Sequence, residues 1–522
     1  MSRKFSSHQD LQQKILEGVN KLADNVASTL GPRGRNVILH QKGKNPMITK
    51  DGVTVAKFVT LDDPFENAGA EILRQASEQT NIDAGDGTTT ATVLARAIYI
   101  DAQKYLLAGS SPIELKRGID KAVTVISANL EALSRPVSSK EDMLHVATIS
   151  ANGDSSIGSL VATAIDQAGK DGSVTIEEAK SVDTTLEIVE GFRFDSGFAA
   201  SAFINNERRG TIQYDNPLIL VCDNKIEAIE EILPILEVVA REGRPLVIVA
   251  EEVSGQALAA LIMNTVRGTM KVAAVKAPRY GEERRDILKD LALATGAAFI
   301  SKESRIDIKE VKLDGLGTAK SIDISKYLTT IVDGAGSYEE IDERIETLKV
   351  QLQQTDDIGA CERIQERITR LLSGVAIIKV GAPTEIEMVE KRHRIEDALE
   401  AVRSAQLEGI VAGGGVALMR ATNDLQVDTD NETQKLGVAI VLSAAQSPMR
   451  QMAINGGASP DLVVSSVASE TDEHGYDYCT DKIINMFEEG VIDPAKVTRC
   501  ALQNAASVAG ALITTNHAII EN

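Results

Sequence analysis

Tryptophan is absent from this sequence of 522 residues, and aromatic residues make up only 3% of it. The hydrophobic cores must therefore consist mainly of Ala, Val, Ile and Leu, a composition that favours long, closely packed helices. Because a single hydrophobic core stops growing well below this chain length, we expect three or four domains.

Cysteine and histidine are also scarce. The cysteines, Cys222, Cys361, Cys479 and Cys500, form no C-x-x-C pair, and the histidines form no H-E-x-x-H motif. These spacings disfavour a zinc site and indicate reduced thiols in a cytoplasmic protein. We therefore predict no protein-bound transition metal.

Two further absences narrow the possible functions. No apolar run is long enough to cross a bilayer, and residues 1–10 show neither an apolar core nor an Arg-rich presequence. We therefore expect a cytoplasmic protein with no membrane contact.

The formal net charge is −21, and basic residues are scattered among acidic ones. A nucleic-acid partner is disfavoured, because it would require a basic surface.

Standard nucleotide-binding motifs are missing. The sequence contains no G-x-x-x-x-G-K-[ST] loop, and no G-x-G-x-x-G follows a predicted strand. These absences disfavour a P-loop enzyme and a Rossmann dehydrogenase.

Hydrophobic periodicity divides the chain into helical ends and a mixed middle. Apolar spacing predicts helices over 11–29, 65–80, 88–108 and 113–134, and short β-like runs over 34–60. From residue 217 strands and helices alternate, with a helix over Gly255–Val266 and strands over Pro217–Cys222, Pro245–Ala250, Lys271–Lys276 and Ala298–Ser301. This alternation predicts a parallel sheet flanked by helices. After residue 385 the chain is helical again. This order suggests an α/β part inserted into a helical domain.

Asp86-Gly87-Thr88-Thr89-Thr90 stands at the start of a predicted helix. A glycine turn at a helix N-terminus presents backbone N–H groups and the positive end of the helix dipole to an anion, and a carboxylate there can hold Mg²⁺. On its own, such a segment is more often a threonine-rich helix cap that binds no ligand.

Three more segments are ambiguous when taken singly. Thr29–Gly34 alone indicates a helix C-cap, Lys50-Asp51-Gly52 alone indicates a solvated turn, and Gly413-Gly414-Gly415 suggests a close backbone approach. Together the segments supply N–H donors for phosphates, a carboxylate for Mg²⁺ and another carboxylate to orient water.

These segments are similar to those of GroEL-type, or group I, chaperonins. Thr29–Val37, Thr49–Val53, Asp86–Thr92 and Val411–Leu418 resemble the family closely, and Thr148–Asn152 and Asp493–Arg499 also match. The resemblance extends from about residue 10 to residue 515, and the motifs occur in the family's order.

The resemblance implies a multidomain subunit with a helical equatorial domain, a small intermediate domain and an inserted α/β apical domain. The equatorial domain would comprise residues 1–132 and 407–522, the intermediate domain 133–189 and 375–406, and the apical domain 190–374. Gly191 and Gly374 would lie at the joints of the apical and intermediate domains, where hinges are expected.

The resemblance also implies an ATPase site that uses ATP, Mg²⁺ and K⁺. Asp397 would polarise the attacking water after domain closure, Asp51 would assist near the γ-phosphate, and Asp86 would hold Mg²⁺. The carbonyl groups of Thr29, Lys50 and Thr89 would bind K⁺. The nucleotide would contact Thr29, Leu30, Gly31, Pro32, Lys50, Asp86, Gly87, Thr88, Thr89, Thr90, Ile149, Gly414, Asp477, Tyr478, Cys479 and Asp493.

A second implied site would bind unfolded polypeptides and a GroES-like co-chaperonin in competition. Helical spacing alone indicates that Leu233, Leu236, Leu258 and Ile262 are core residues, as most such stripes are. The resemblance instead implies an apolar groove for extended or helical segments. Its residues would be Phe198, Phe203, Leu233, Leu236, Leu258, Ile262 and Met263. The subunits would form a homo-oligomeric, heptameric ring.

The sequence departs from the family in its base pocket and its subunit contacts. Asp477-Tyr478-Cys479 replaces the usual Asn-Ala-Ala near the adenine, which predicts a reshaped pocket. Positions where the family has charged partners are occupied by Ser196, Asn206, Ser254, Ile82 and Ser459, the last in place of the inter-ring partner of Arg450. Because coupling energies are only about 1–3 kcal/mol, such losses can alter cooperativity and weaken ring–ring contact. We predict a single ring or a weakly joined double ring.

Two other functions remain open. A divergent ring-forming paralogue would bind proteins but hydrolyse ATP weakly, although Asp51, Asp86 and Asp397 are all present. An unrelated metabolic α/β enzyme is the third possibility, but the sequence shows no nucleophile–base constellation and no cofactor fingerprint.

Overall fold

The chain forms two compact units. The computed structural model describes residues 3–43, 46–168, 173–179, 181–301, 303–304, 307–355, 357–372, 374–423 and 425–521. The helical unit comprises Met1–Ala162 and Ala382–Asn522, and the α/β unit comprises Thr163–Gly381. The α/β unit is therefore inserted between two chain segments of the helical unit. The finer division into equatorial, intermediate and apical domains stays a prediction.

The first segment of the helical unit begins with a strand and continues mainly as helices. The last of these, α7, extends past the boundary between the two units. The elements are β1 (Arg3–Ser7), α1 (His8–Ala27), β2 (Val37–Leu39), β3 (Met47–Thr49), α2 (Gly52–Phe58), α3 (Pro64–Ala84), α4 (Thr88–Leu107), α5 (Pro112–Leu133), α6 (Lys140–Ser150) and α7 (Ser155–Ala168).

The α/β unit mixes strands and helices throughout. Its elements are β4 (Ser173–Glu178), β5 (Thr185–Phe194), β6 (Ile212–Asp215), β7 (Leu218–Cys222), β8 (Lys225–Ile226), α8 (Ile229–Glu242), β9 (Leu246–Ala250), β10 (Glu252–Val253), α9 (Gly255–Val266), β11 (Val272–Lys276), α10 (Gly281–Thr295), β12 (Phe299–Ile300), β13 (Gly317–Ile324), β14 (Thr329–Gly334), α11 (Tyr338–Gln353), α12 (Ile358–Leu372) and β15 (Gly374–Val380).

The second segment of the helical unit begins with its longest described helix and ends with a strand. Its elements are α13 (Glu385–Glu408), β16 (Ile410–Ala412), α14 (Val416–Ala421), α15 (Glu432–Ala444), α16 (Ser447–Gly456), α17 (Pro460–Ala468), β17 (His474–Asp477), β18 (Lys482–Asn485), β19 (Ile492–Pro494), α18 (Ala495–Thr514) and β20 (His517–Glu521).

The core of the helical unit lies where α18 packs against α3, α4 and α5. Small side chains such as Ala501, Ala505 and Ala509 are buried on α18 and allow the helices to approach closely. The stripe predicted on α1 is also buried in this core, from Ile15 to Val26. The low aromatic content thus corresponds to a core of aliphatic and alanine side chains.

The main sheet of the α/β unit has a parallel part and an antiparallel part. Its order is β11-β9-β7-β13-β14-β5-β15-β4, with β12 beside β7 and β6 beside β13. β7, β9, β11 and β12 run parallel, and every residue of β7 and β9 is buried, as expected for strands covered on both faces. β13 pairs antiparallel with β7, β14 and β6.

Most of the predicted elements are confirmed, and two predictions were incomplete. Helix α9 has the predicted bounds, Gly255–Val266. The β-like interpretation of residues 34–60 was wrong over Gly52–Phe58, which is helix α2 because Asp51 caps it. The prediction of a parallel sheet is confirmed for β7, β9, β11 and β12, but it did not include β13 and β14, which form an antiparallel part. Gly191 lies within β5 and Gly374 begins β15, so their role as hinges stays a prediction.

Among the described residues, the structure contains no helix that is both long enough and apolar enough to span a membrane.

Candidate functional site

The N-terminus of α4 is the centre of the candidate site in the helical unit. Gly87 precedes the helix with a φ of +80°, a left-handed conformation that glycine adopts without strain. The first bond of the helix runs from Ala91 N to Gly87 O, at 2.9 Å. The N–H groups of Thr88, Thr89 and Thr90 therefore point out of the helix end, where an anion can accept them.

Helix α2 begins directly beside this helix end. A Cβ on Gly52 would lie 2.3 Å from Thr89 Oγ1 and 2.8 Å from Thr88 Oγ1, so only glycine permits this approach. The neighbouring carboxylate of Asp51 caps α2, accepting from Val53 N at 3.3 Å and from Thr54 N at 3.2 Å. Asp51 is thereby held next to the start of α4.

The turn at residues 29–34 lies on another side of the same helix end. Thr29 Oγ1 and Thr89 Oγ1 are 3.3 Å apart. Lys50 Nζ donates to Gly31 O and to Asn152 Oδ1, each at 2.9 Å. Burial, together with the nearby positive charge of Arg394, lowers the pKa of Lys50. The turn is thus fixed to both the β3–α2 segment and the end of α6.

The turn is also anchored to α16. Asn455 Nδ2 donates to Leu30 O at 2.9 Å and to Ala27 O at 2.8 Å, so a single amide satisfies two carbonyl groups near the end of α1. Gly31 has a φ of +80°, and a Cβ there would lie 2.7 Å from Met452 Cγ. Glycine is therefore required both by the backbone conformation and by the packing.

Asp86 lies at the point where α3 ends and α4 begins. Its carboxylate accepts from Gly87 N at 2.5 Å and from Ser150 Oγ at 2.8 Å. Asp493 lies near it, on β19: burial and the charge of Asp86 raise the pKa of Asp493 to about 7. The two carboxylates are therefore close enough to interact, and a cation bound near them would relieve their repulsion.

The Gly413–Gly415 turn approaches both β19 and the β17–β18 hairpin. A Cβ on Gly413 would lie 3.2 Å from Asp493 Oδ1, and one on Gly414 would lie 3.7 Å from both Tyr476 O and Tyr478 Cε2. The glycine run thus permits the close approach that the sequence suggests.

The three residues that replace the family's Asn-Ala-Ala have distinct environments. Asp477 caps its own turn, because its carboxylate accepts from Cys479 N at 2.9 Å and from Thr480 N at 3.1 Å. Tyr478 is buried, and its hydroxyl group donates to Met449 O at 3.0 Å. Cys479 is exposed, and partial burial of its thiol together with Asp477 raises its pKa.

Asp397 is half-buried on α13, which packs against the candidate site. One turn before it, Arg394 Nη1 donates to Asp154 Oδ2 at 3.2 Å. One turn after it, Glu400 lies so close to Gly85 that a Cβ on Gly85 would be 2.3 Å from Glu400 Cβ. Ser404 Oγ then donates to Ala84 O at 2.9 Å. The contacts of Glu400 and Ser404 hold α13 against the loop that carries Asp86, and the contact of Arg394 holds it against Asp154.

The structure brings most of the predicted nucleotide residues to one end of α4. Ile149 is 38% exposed beside Ser150, which binds Asp86. Sequence reasoning did not assign roles to Ser150, Asn152 and Asn455, because nothing in their spacing indicates the distant carboxylate, lysine and turn that they contact. Among the described residues, no group of three or more His, Cys, Asp or Glu side chains could hold a metal ion by itself.

The predicted polypeptide-binding residues of the α/β unit differ in accessibility. Leu233 on α8 and Met263 on α9 are 44% and 48% exposed. Leu258, Ile262 and Phe198 are partly buried and pack against the core, whereas Phe203 and Leu236 are 0% and 5% exposed. In this conformation Phe203 and Leu236 are core residues, as helical spacing alone indicated for Leu236.

This fold, with its glycine-bordered helix end, is that of a chaperonin subunit. Residues 22–522 match the TCP-1/cpn60 chaperonin family, and the chain belongs to that family. A solved structure with the same fold is "the chaperonin gp146 from the bacteriophage EL 2 (Pseudomonas aeruginosa)", crystallised in the presence of ATP-BeFx. The TM-score is 0.66, the sequence identity is 21%, and the match covers 99% of each chain. The predicted GroEL-like multidomain architecture is confirmed.

Proposed function

We propose that this protein is an ATP-dependent chaperonin that binds unfolded polypeptides and folds them in the cavity of a ring. The observation that carries the proposal is the N-terminus of α4, which is bordered by Gly52 and Gly87 and lies beside Asp51 and Asp86. Membership of the chaperonin family supports it, as does the likeness to a chaperonin crystallised with ATP-BeFx.

The phosphates of ATP would bind at the start of α4. The N–H groups of Thr88, Thr89 and Thr90 and the positive end of the helix dipole favour an anion there. The turn from Thr29 to Pro32 would complete the cradle. Pro32 has no N–H group, so its contribution is the shape of the turn.

Asp86 fits the role of a Mg²⁺ ligand. Its carboxylate lies at the phosphate-binding helix end, and its charge adds to burial in raising the pKa of the nearby Asp493. Mg²⁺ commonly binds one or two carboxylates together with phosphate oxygens, so two acidic groups suffice. When bound, Mg²⁺ would neutralise charge on the phosphates. The proximity of the Thr29 and Thr89 side chains supports K⁺ binding by the carbonyl groups of Thr29, Lys50 and Thr89.

Asp397 and Asp51 would act in hydrolysis. Asp397 would accept a hydrogen bond from the attacking water and so polarise it, and Asp51 would assist near the γ-phosphate. The proposal is supported by the docking of α13 through Arg394 and Ser404, and by the close approach of Gly52 to α4.

The base and ribose would lie beside Gly414, Ile149, Asp493 and the turn of the β17–β18 hairpin. Because the Tyr478 hydroxyl group is bonded to Met449 O, its ring rather than its hydroxyl group would face the base. Asp477 and Cys479 belong to the same turn, so the backbone of this turn would contact the nucleotide.

Unfolded polypeptides would bind the apolar surface of α8 and α9. Leu233 and Met263 are exposed, and the partly buried Leu258, Ile262 and Phe198 would extend the surface. A GroES-like co-chaperonin would compete for it and release the polypeptide into the cavity. Phe203 and Leu236 would join only after α8 and α9 rearranged. The chaperonin would act in the cytoplasm as a homo-oligomeric, heptameric ring.

ATP turnover by the assembled protein tests the proposal. We expect the wild type to hydrolyse ATP and Asp397→Ala to lower kcat by about 10²-fold or more, with ATP still bound, because the substitution removes the group that orients water. Glu387→Ala, an exposed acid on the same helix, is the control and should keep wild-type kcat. An Asp397→Ala variant with wild-type kcat would refute the assignment.

A weakly hydrolysing, protein-binding paralogue is the second candidate. The base-side turn favours it, because the Tyr478 hydroxyl group makes an internal hydrogen bond that the alanine of Asn-Ala-Ala could not make. The same turnover measurement separates the two: a wild type that binds unfolded proteins but hydrolyses ATP no faster than Asp397→Ala would be this paralogue.

A further inference from the structure

We propose that Arg33 and Asp481 form an ionic strap that joins the two walls of the candidate site and retains the nucleotide. This inference rests on the proposed ATPase function. Neither residue belongs to the predicted nucleotide-binding set. The strap would slow nucleotide dissociation without taking part in the hydrolytic step, so both are positioning residues.

The first wall is the turn at residues 29–34, which ends in Arg33. Arg33 Nη1 donates to Gly456 O, the last residue of α16, at 3.0 Å. A cationic group at the C-terminal end of a helix is favourable because the carbonyl groups there carry partial negative charge. Together with the bonds of Asn455 to Ala27 and Leu30, this contact fixes the turn on α16.

The second wall is the β17–β18 hairpin, whose turn ends in Asp481. Arg33 Nη2 donates to Asp481 Oδ2 at 2.7 Å and to Cys479 O at 3.3 Å. Tyr476 Oη donates to Asp481 Oδ1 at 3.2 Å, so the carboxylate is oriented by both partners. Asp481 has a φ of +57°, a conformation in which aspartate is tolerated, and the turn thus presents the carboxylate to Arg33.

Contacts between these two walls continue around the N-terminus of α4. The hairpin touches Gly414, and the adjacent Gly413 approaches Asp493. Helix α18 follows β19 directly, and its Val497 lies so close to the start of α4 that a Cβ on Gly87 would be 2.6 Å from Val497 Cγ1. In the first turn of α4, Thr89 Oγ1 lies 3.3 Å from Thr29 Oγ1, and Thr29 begins the turn that ends in Arg33. The Arg33–Asp481 pair closes this circuit around the proposed phosphate position.

The exposure of the pair allows it to open. The side chains of Arg33 and Asp481 are 35% and 49% exposed, so the pair can break without unfolding either wall. Exposed ion pairs are weak and are screened by salt. We therefore expect a modest effect on nucleotide retention that is largest at low ionic strength.

The test is stopped-flow dissociation of a fluorescent ATP or ADP analogue from the assembled protein at low and high salt. We expect Asp481→Asn and Arg33→Gln to raise the dissociation rate by about two- to fivefold at low salt and less at high salt. The effect on turnover should fall on KM rather than kcat. Arg33→Lys should restore part of the retention, because the charge remains while the forked contacts are lost.

The matched control is Asp120→Asn. Asp120 forms an ion pair with Lys116 on α5 at 2.6 Å, and this pair is about as exposed as Arg33 and Asp481 but lies outside the circuit. The Asp120→Asn substitution should leave the dissociation rate of the nucleotide unchanged. The double variant, Arg33→Gln with Asp481→Asn, should dissociate nucleotide no faster than the faster of the two single variants, because each single change already breaks the pair.

The outcomes distinguish the strap from the proposed function. Strap variants that fold and bind nucleotide but dissociate at the wild-type rate at low salt would overturn the strap and leave the ATPase proposal intact. A wild type that binds no nucleotide analogue would overturn the ATPase proposal and the strap with it.

Discussion

At the scale of single residues, glycines decide how closely the segments of the candidate site approach each other. Gly52 allows α2 to pack against the N-terminus of α4. Gly413 allows a similar approach, because a Cβ there would lie 2.8 Å from Val491 O. The sequence indicated the close approach at Gly413, which stands in a run of three glycines, whereas the turn that contains Gly52 indicated on its own only a solvated turn. Ser150 and Asn455 could not be singled out from the sequence, since their roles arise only when distant segments meet.

The substitution Gly52→Ala tests this packing. The added methyl group would lie within 3 Å of both Thr88 Oγ1 and Thr89 Oγ1 and would push α2 and Asp51 away from α4. We expect the affinity for ATP, measured by titration calorimetry, to fall by about tenfold or more, comparable to about 1.4 kcal/mol or more of binding free energy.

The control for this substitution is Gly359→Ala on α12. There the added Cβ would lie 3.4 Å from Arg363 Nη1, an ordinary contact with a flexible side chain. Wild-type ATP affinity is expected for this variant. Wild-type affinity for Gly52→Ala as well would show that α2 does not border the nucleotide.

At the scale of elements, α8 and α9 show what helical periodicity can and cannot predict. The bounds of α9 follow from its apolar run and from Gly255, which begins the helix. The pattern could not separate Leu236, which is buried, from Leu233, which is exposed three residues earlier, because both are leucines on one helix. Which apolar positions remain outside the core depends on the neighbouring sheet and loops.

Apolar patterns likewise predict some strands of the α/β unit and not others. Buried runs such as β7 and β9 were predicted because a short apolar segment between turns is typical of a parallel strand covered on both faces. β13 mixes buried, half-buried and exposed residues and is joined to β14 by a short turn, so neither its existence nor its direction follows from an apolar run.

The double substitution Leu233→Ser with Met263→Ser tests the polypeptide-binding surface. Both side chains are about half exposed, so their loss should weaken binding of a chemically unfolded protein by about tenfold or more while leaving the melting temperature nearly unchanged. Val350→Ser, an apolar residue on α11 that is 50% exposed, is the control and should bind normally. If the double variant bound the unfolded protein as tightly as the control, α8 and α9 would not form the polypeptide-binding surface.

At the scale of the whole molecule, the helical–mixed–helical order of the sequence corresponds to an α/β unit inserted into a helical unit. The order could be predicted because core composition changes along the chain. The assembly could not be derived from composition, since contacts between subunits depend on individual surface residues. One such residue is Arg450, whose Nη1 donates to Asp461 Oδ1 of its own chain at 2.6 Å.

This internal pair leads to a prediction about the assembled particle. The resemblance implies that Arg450 would face a second ring, where its family partner is replaced by Ser459. With Arg450 paired to Asp461 instead, ring–ring contacts should be weak. Native mass spectrometry with and without ATP should therefore detect single rings as a major species in at least one nucleotide state. A stable double ring in every state would contradict the prediction.

The central claim, that ATP hydrolysis drives the folding of bound polypeptides, is tested most directly by following a captured, chemically unfolded enzyme after ATP addition. We predict that the assembled protein holds the enzyme inactive without nucleotide and that ATP restores its activity, whereas Asp397→Ala holds the enzyme but restores activity far more slowly. Recovery that is the same with ATP, without ATP and with the Asp397→Ala variant would contradict the account.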